Sequence, residues 1–495
     1  MTPFEHRMFA LEYANPDCSK RHEGRFFKKP DSEDLEKFEN ARKRFAGLTP
    51  KFIPDDSIPE GDESSRLHRW GYSRYREMFN ERQLLGLELS SRTIAAKRNS
   101  RIRTALATNL SDLLRYQNML CRYDTMALKS LDIFSVHGFP VGLIQVESNL
   151  LGVLNPTTRQ PVGSGGWLNI TEKYAKAKAY CDKPFEIRHQ NGRRVTVPVV
   201  GEWIGESANG RGSTKSREVR LECVDASTIQ LSERSLDAIL TDPPYFGNVQ
   251  YAELMDFCYV WLRRLLPEFP AFHAASTRCA EELTGNQTAG RGLPHFTEGL
   301  SGVFRQMAGA LKEGAPLVFT FHHNNLEAYF PITVAILDAG LVCSASLPCP
   351  AEMGGSIHIS GTRSSIIDTV FVCRSTGRLR AKWLADNGEQ LAALIVEDLA
   401  QLNLGGVKPT EGDARCIAYG HLTRLAVWNL RSKWISALAV DDKLRAIGSW
   451  IQEFGGVAPV LRFVRSKSQL APRQPATTIS ESVRPYARDL NDVSF

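Results

Sequence analysis

Long apolar runs are missing from this chain. None of its 495 residues lie in a stretch approaching the roughly 20 apolar residues that span a bilayer as a helix. The first residues, Met1-Thr2-Pro3-Phe4-Glu5-His6-Arg7, lack the basic-then-apolar layout of a secretory leader. The expectation is therefore a cytoplasmic protein with no membrane segment. The ten cysteines include no C-x-x-C pair, which argues against a disulfide framework and a zinc ribbon alike. They read as buried thiols, and no metal site is expected. Internal repeats are absent too. A strong excess of either charge is missing too: the formal net charge is +6, which is compatible with nucleic acid without requiring it.

The distribution of that charge is more informative. Between Arg66 and Arg103 stand ten Lys or Arg against three acids, Glu77, Glu81 and Glu88. Aromatic residues interleave in Arg69-Trp70-Gly71-Tyr72-Ser73-Arg74-Tyr75-Arg76. Arginine suits phosphate and tyrosine suits base stacking, so Arg69, Arg74, Arg76 and Arg82 are candidate contacts to DNA. The same pattern is equally that of a solvated helix face with snorkelling arginines.

Five regions follow from the pattern: a polar segment over residues 1–60, a mainly helical basic region over 61–215, an α/β core over 216–380, a helical region over 381–465, and a tail over 466–495 whose composition predicts disorder. Asp31-Ser32-Glu33-Asp34 predicts a helix start. Asn80 with Gln83 forms a capping box that predicts another, and a further helix is expected from Leu110 to Arg122. In the core, strands are expected at Val219–Val224, Leu236–Thr241 and Pro316–Phe321. Helices follow from about Tyr251, from Leu300 and up to Asp338. Val342–Leu347 and Ile366–Cys373 then predict an antiparallel pair at the sheet edge. The alternation makes the expected class α/β.

Asp242-Pro243-Pro244-Tyr245, directly after the apolar run ending at Thr241, carries the chemistry. An exocyclic amine of a nucleobase is a poor nucleophile, because its lone pair is delocalised into the ring. A carboxylate and a proline carbonyl that accept its two N–H bonds draw the nitrogen towards sp3 geometry. The prolines fix φ and contribute no competing N–H, and Tyr245 offers a face on which a flipped base can stack. Asp225, seventeen residues upstream, ends the first expected strand. In a doubly wound sheet both acids would stand at the carboxyl ends of neighbouring strands, where ligands bind. Both aspartates also suit plain capping of strand ends. His322 and His323 should end the strand near the pocket rim with at most one facing substrate. Glu352 suits the pocket or the surface equally.

Thr241 to Arg264, TDPPYFGNVQYAELMDFCYVWLRR, resembles the motif of a family of large adenine-specific DNA methylases that open with a domain of unknown function and occur in anti-phage islands. Phe79-Asn80-Glu81-Arg82-Gln83-Leu84-Leu85, Leu120-Cys121-Arg122-Tyr123-Asp124 and Phe319-Thr320-Phe321-His322-His323 are similar to that family as well, as are, less firmly, Ser356-Ile357-His358 and Gly361-Thr362-Arg363. The likeness spans roughly residues 70–430. Within the motif, Gly247 stands where Asp is usual. The resemblance implies a Rossmann-like methyltransferase sheet with flanking helical regions, S-adenosylmethionine as cofactor and DNA as partner. It also implies Asp242, Pro243, Pro244 and Tyr245 as catalytic residues and Asp225 against the cofactor.

The loop Asp-Pro-Phe-x-Gly-x-Gly, which in such enzymes lets the backbone approach the methionine of the cofactor, does not occur. The expected sheet is thus partial, its cofactor-loop half missing, as in the C-terminal half of the family. Three accounts remain: a methylase split over two chains, with the second carrying the cofactor loop; a truncated, inactive methylase; or a non-catalytic nucleic-acid-binding subunit. Cytosine N4 or RNA remain alternative targets.

Overall fold

The computed structural model describes residues 6–14, 25–125, 127–190, 193–199, 220–247, 249–350, 365–376 and 383–467. They divide into two compact units. One lies within Met1–Cys223 and Tyr251–Arg278, the other within Val224–Gln250 and residues 279–467. Glu352, Ser356, His358, Gly361, Thr362, Arg363 and the tail beyond residue 467 lie outside the described residues.

The first unit is mainly helical, with α1 (Ser32–Ala46), α2 (Ser64–Arg69), α3 (Glu81–Ala95), α4 (Ser100–Leu114), α5 (Trp167–Asp182) and α6 (Tyr251–Leu265). Two starts are where local chemistry puts them. Asp31 accepts from the Asp34 amide at 3.0 Å while Asp34 accepts from that of Asp31 at 3.1 Å. Asn80 and Gln83 exchange the same pair of bonds at 2.9 and 3.1 Å. The helix expected from Leu110 to Arg122 is displaced: α4 begins after Asn99, whose side chain accepts from the Ile102 amide, and ends at Leu114. Asn118 ends it, because its amide nitrogen donates to the Leu114 carbonyl at 2.9 Å and that of Arg115 at 3.0 Å.

Two acids of the methylase-like motif prove structural. Buried Glu253 accepts from the amides of Asp62, Glu63 and Ser64 at 3.0, 3.0 and 2.8 Å, satisfying orphan donors at the start of α2. Gly61 makes that approach possible, since a Cβ there would stand 2.3 Å from the Glu253 carboxyl carbon. Asp256 is 1% exposed and takes the Thr277 amide at 2.7 Å and Arg278 Nε at 3.0 Å. A buried carboxylate needs such partners to stay charged.

The second unit holds a four-stranded sheet of β1 (Ile239–Thr241), β2 (Pro316–Phe321), β3 (Val342–Pro350) and β4 (Ile367–Arg374), in the order β3-β4-β2-β1. β1 and β2 are parallel, with Leu317 opposite Ile239 and Phe319 opposite Thr241. β4 returns antiparallel between β2 and β3, so the expected antiparallel pair is present with β3 at the edge. The helices of this unit are α7 (Leu293–Ala310), α8 (Phe330–Asp338), α9 (Gly388–Leu404), α10 (Glu411–Leu430), α11 (Val440–Glu453) and α12 (Val457–Lys467). α7 starts earlier than the expected Leu300, since Pro294 is tolerated in a first turn.

The alternation of β2 sorts its side chains by face. Leu317, Phe319 and Phe321 are buried, and Phe319 packs between Phe304 and Phe371 with ring centroids 5.1 Å from each. On the opposite face Val318, Val370 and Val372 are only half-buried, and Leu240 of β1 is 77% exposed. The described helices thus cover one face of the sheet far better than the other.

The strand expected at Val219–Val224 is not formed. Residues 220–224 carry no regular structure, with Leu221 90% exposed, and among the described strands β1 pairs only with β2. A short apolar run without a neighbour has nothing to complete its backbone hydrogen bonds. The expected strand at Leu236–Thr241 also shortens to Ile239–Thr241.

Candidate active site at the carboxyl end of the parallel strands

Asp242 and Thr320 meet because of register. Thr241 stands opposite Phe319, so the next residues, Asp242 and Thr320, fall side by side on the less covered face. Asp242 is exposed, Pro243 buried, Pro244 and Tyr245 half-buried. The Thr320 hydroxyl donates to Asp242 Oδ1, and the Tyr245 hydroxyl donates to the same oxygen at 3.1 Å. Burial pushes the Tyr245 phenol well above its usual range, helped by the negative charges of Asp368 and Asp242. It therefore remains a hydrogen-bond donor. Its ring stands edge-on to Phe321, with centroids 5.3 Å apart.

The rest of the loop is held from two sides. Both histidines follow β2 rather than end it. His323 accepts from the Asn325 amide at 2.9 Å and hydrogen-bonds the Phe246 backbone; burial lowers its pKa. His322 Nδ1 donates instead to the Ile367 carbonyl at 2.9 Å. On the other side Gln250 donates to the Gly285 carbonyl at 2.7 Å and accepts from Asn286 at 2.8 Å. Thr284 donates to the Val249 carbonyl at 3.2 Å, and Phe246 packs on Phe296 at 5.4 Å. Sequence reasoning passed over Thr320, Gln250, Thr284 and Asn286. The one available signal was Thr320, the lone hydroxyl in the apolar strand Pro316-Leu317-Val318-Phe319-Thr320-Phe321.

Asp225 stands in a turn rather than at the end of a strand. Its carboxylate takes the amide and hydroxyl of Ser227, both at 2.7 Å, in an exposed turn. Those bonds lower its pKa. With the strand before it absent, it does not end a neighbour of β1. The strand parallel to β1 runs into His322-His323-Asn324-Asn325, with no glycine loop there. Among the described residues, no group of three His, Cys, Asp or Glu could hold a metal ion.

Three of the four candidate arginines of the first unit stand in ion pairs. Arg74 and Arg76 share Asp55 at 2.5 and 3.5 Å. Arg82 pairs with Glu147 at 2.7 Å and lies over the Phe38 ring. Arg69 reaches only the Ser65 hydroxyl, at 3.5 Å. Tyr72 and Tyr75, read as stacking platforms, are each 1% exposed and belong to the core. Their apolar rings gain more from burial than from the surface.

Neither a family model, a curated protein nor a solved structure matches this chain.

Proposed function

We propose that this chain is the base-holding half of a DNA adenine-N6 methyltransferase. Asp242 and the Pro243 carbonyl accept the two N–H bonds of the target amine and aim its lone pair outward. Tyr245 stacks on the flipped base. No general base is needed, because the nitrogen becomes cationic on methylation and its proton can leave to water. The reading rests on one observation: an exposed carboxylate at the end of a parallel strand, braced by two hydroxyls and followed by a buried proline.

The methyl donor, S-adenosylmethionine, belongs in this reading to a second chain that carries Asp-Pro-Phe-x-Gly-x-Gly. The one-sided sheet supports this. Parallel strands are normally covered on both faces, yet Leu240 is 77% exposed and the described residues offer β1 a single neighbouring strand.

The test is transfer of labelled methyl groups to duplex DNA after this chain is mixed with such a partner. Asp242→Ala should lower the rate roughly 100-fold or more, the usual loss when a positioned polar group at the reacting centre is removed. Unchanged activity in that variant would sink the catalytic assignment.

A further inference from the structure

We infer that Thr320 is a positioning residue that, with Tyr245, divides the labour of the two Asp242 oxygens: Oδ1 is held by the protein and Oδ2 is presented to the amine. The inference rests on the methyltransferase reading. The terminal torsion of an aspartate is soft and roughly two-fold, so an unbraced carboxylate would offer its oxygens in many orientations. Here both hydroxyls, those of Thr320 and of Tyr245, donate to the same atom, Tyr245 at 3.1 Å. The two hydroxyl oxygens lie 3.5 Å apart, which closes a triangle and sets the plane of the carboxylate. Among the described residues both hydrogen bonds to the Asp242 carboxylate end on Oδ1 and none on Oδ2.

The two braces differ in origin. Tyr245 is three residues from Asp242 and belongs to the same loop, whereas Thr320 comes from the neighbouring strand 78 positions away. Thr320 therefore ties the loop's carboxylate to the rigid sheet, and Tyr245 alone could not. As a β-branched residue on β2, Thr320 is stiff at χ1. Bonds from hydroxyls to a charged oxygen are strong and directional. The remaining oxygen is purely an acceptor, so the site selects a base that offers an N–H there over one that offers a carbonyl.

The test uses the reconstituted enzyme with Thr320→Val, Thr320→Ser, Tyr245→Phe and Asp242→Ala. Thr320→Val should lower kcat about 10-fold or more with little change in KM for DNA, and Thr320→Ser should restore kcat to within about 3-fold. Tyr245→Phe should give a smaller loss. A second readout needs no activity: the carboxyl 13C resonance of Asp242 in the full chain, identified by its loss in Asp242→Ala. It should move in Thr320→Val and stay in Thr320→Ser. Wild-type kcat in Thr320→Val beside an inactive Asp242→Ala overturns the inference while leaving the methyltransferase reading intact. A fall in kcat with the resonance unmoved assigns Thr320 a merely structural role and overturns it too. Activity that survives Asp242→Ala brings down the methyltransferase reading itself, and the inference with it.

Discussion

Gly285 lies close against the ring of Phe246: a Cβ added there would stand 2.8 Å from its Cε2. That ring is wedged on Phe296 and follows Tyr245 directly, so it cannot yield without moving the loop. Gly285→Val should cost roughly 1–3 kcal/mol of stability by overpacking and lower methyl transfer in the reconstituted enzyme. Denaturation and activity measured together would check this, and full activity in the variant would show that the loop tolerates displacement.

Binding of the methyl donor separates the split-enzyme account from a self-sufficient one. Titration calorimetry of the isolated chain with S-adenosylmethionine should give a Kd of about 1 mM or weaker, at most about 4 kcal/mol of binding free energy. The strand parallel to β1 supplies no glycine loop. Micromolar binding by the chain alone would end the split-enzyme reading.

Asp413 is completely buried and is the hub of a local network. Its carboxylate accepts from the Ser365 hydroxyl at 2.6 Å, the Ile366 amide at 2.8 Å, and the Thr410 amide at 2.6 Å. It thereby joins the start of α10 to the start of β4. Asp413→Ala strands those donors in the interior, and about 3 kcal/mol of stability should be lost, read from urea denaturation midpoints. A loss below about 1 kcal/mol, the worth of a single ordinary hydrogen bond, would mean that water or rearrangement replaces the carboxylate.

Acid should weaken the second unit through His421. The ring is 4% exposed; Nδ1 accepts from Arg424 at 2.9 Å, and Nε2 donates to Asp398 at 2.9 Å. Burial pushes its pKa below the ordinary 6.5, and Arg424 adds to the shift while Asp398 opposes it. A histidine with a lowered folded pKa binds its proton more readily when unfolded. Its contribution is whole above 6.5 and is lost as pH falls from there towards the folded value. The denaturation midpoint should therefore drop between about pH 7.5 and about pH 5.5, and His421→Gln should flatten that slope. A slope identical in the variant would assign the acid sensitivity elsewhere.

Much of the architecture was readable because it depends on neighbours in the chain. The capping boxes at Asp31 and Asn80 rest on side chains three residues apart. The strand Pro316–Phe321 stands at its expected limits, since alternation of apolar residues is a local property. Other elements were illegible for the converse reason. Residues 220–224 have the composition of a strand but no strand beside them. Tyr72 and Tyr75 look like exposed platforms between arginines until the fold buries them. The acids Glu253 and Asp256 lie within the methylase-like stretch, and only the fold shows that they cap backbone and bind Arg278.

By itself, then, the sequence determined the stiff Asp242-Pro243-Pro244-Tyr245 turn after an apolar run, because proline geometry and strand alternation act over a few residues. It also determined the absence of a donor-holding glycine loop. Only the tertiary structure decided which residues serve that turn. Strand register set Thr320 against Asp242 across 78 positions, and packing set Gly285 under Phe246. Asp225 was left to a turn of its own. Such pairings depend on how distant segments align, and no local pattern in the chain records that.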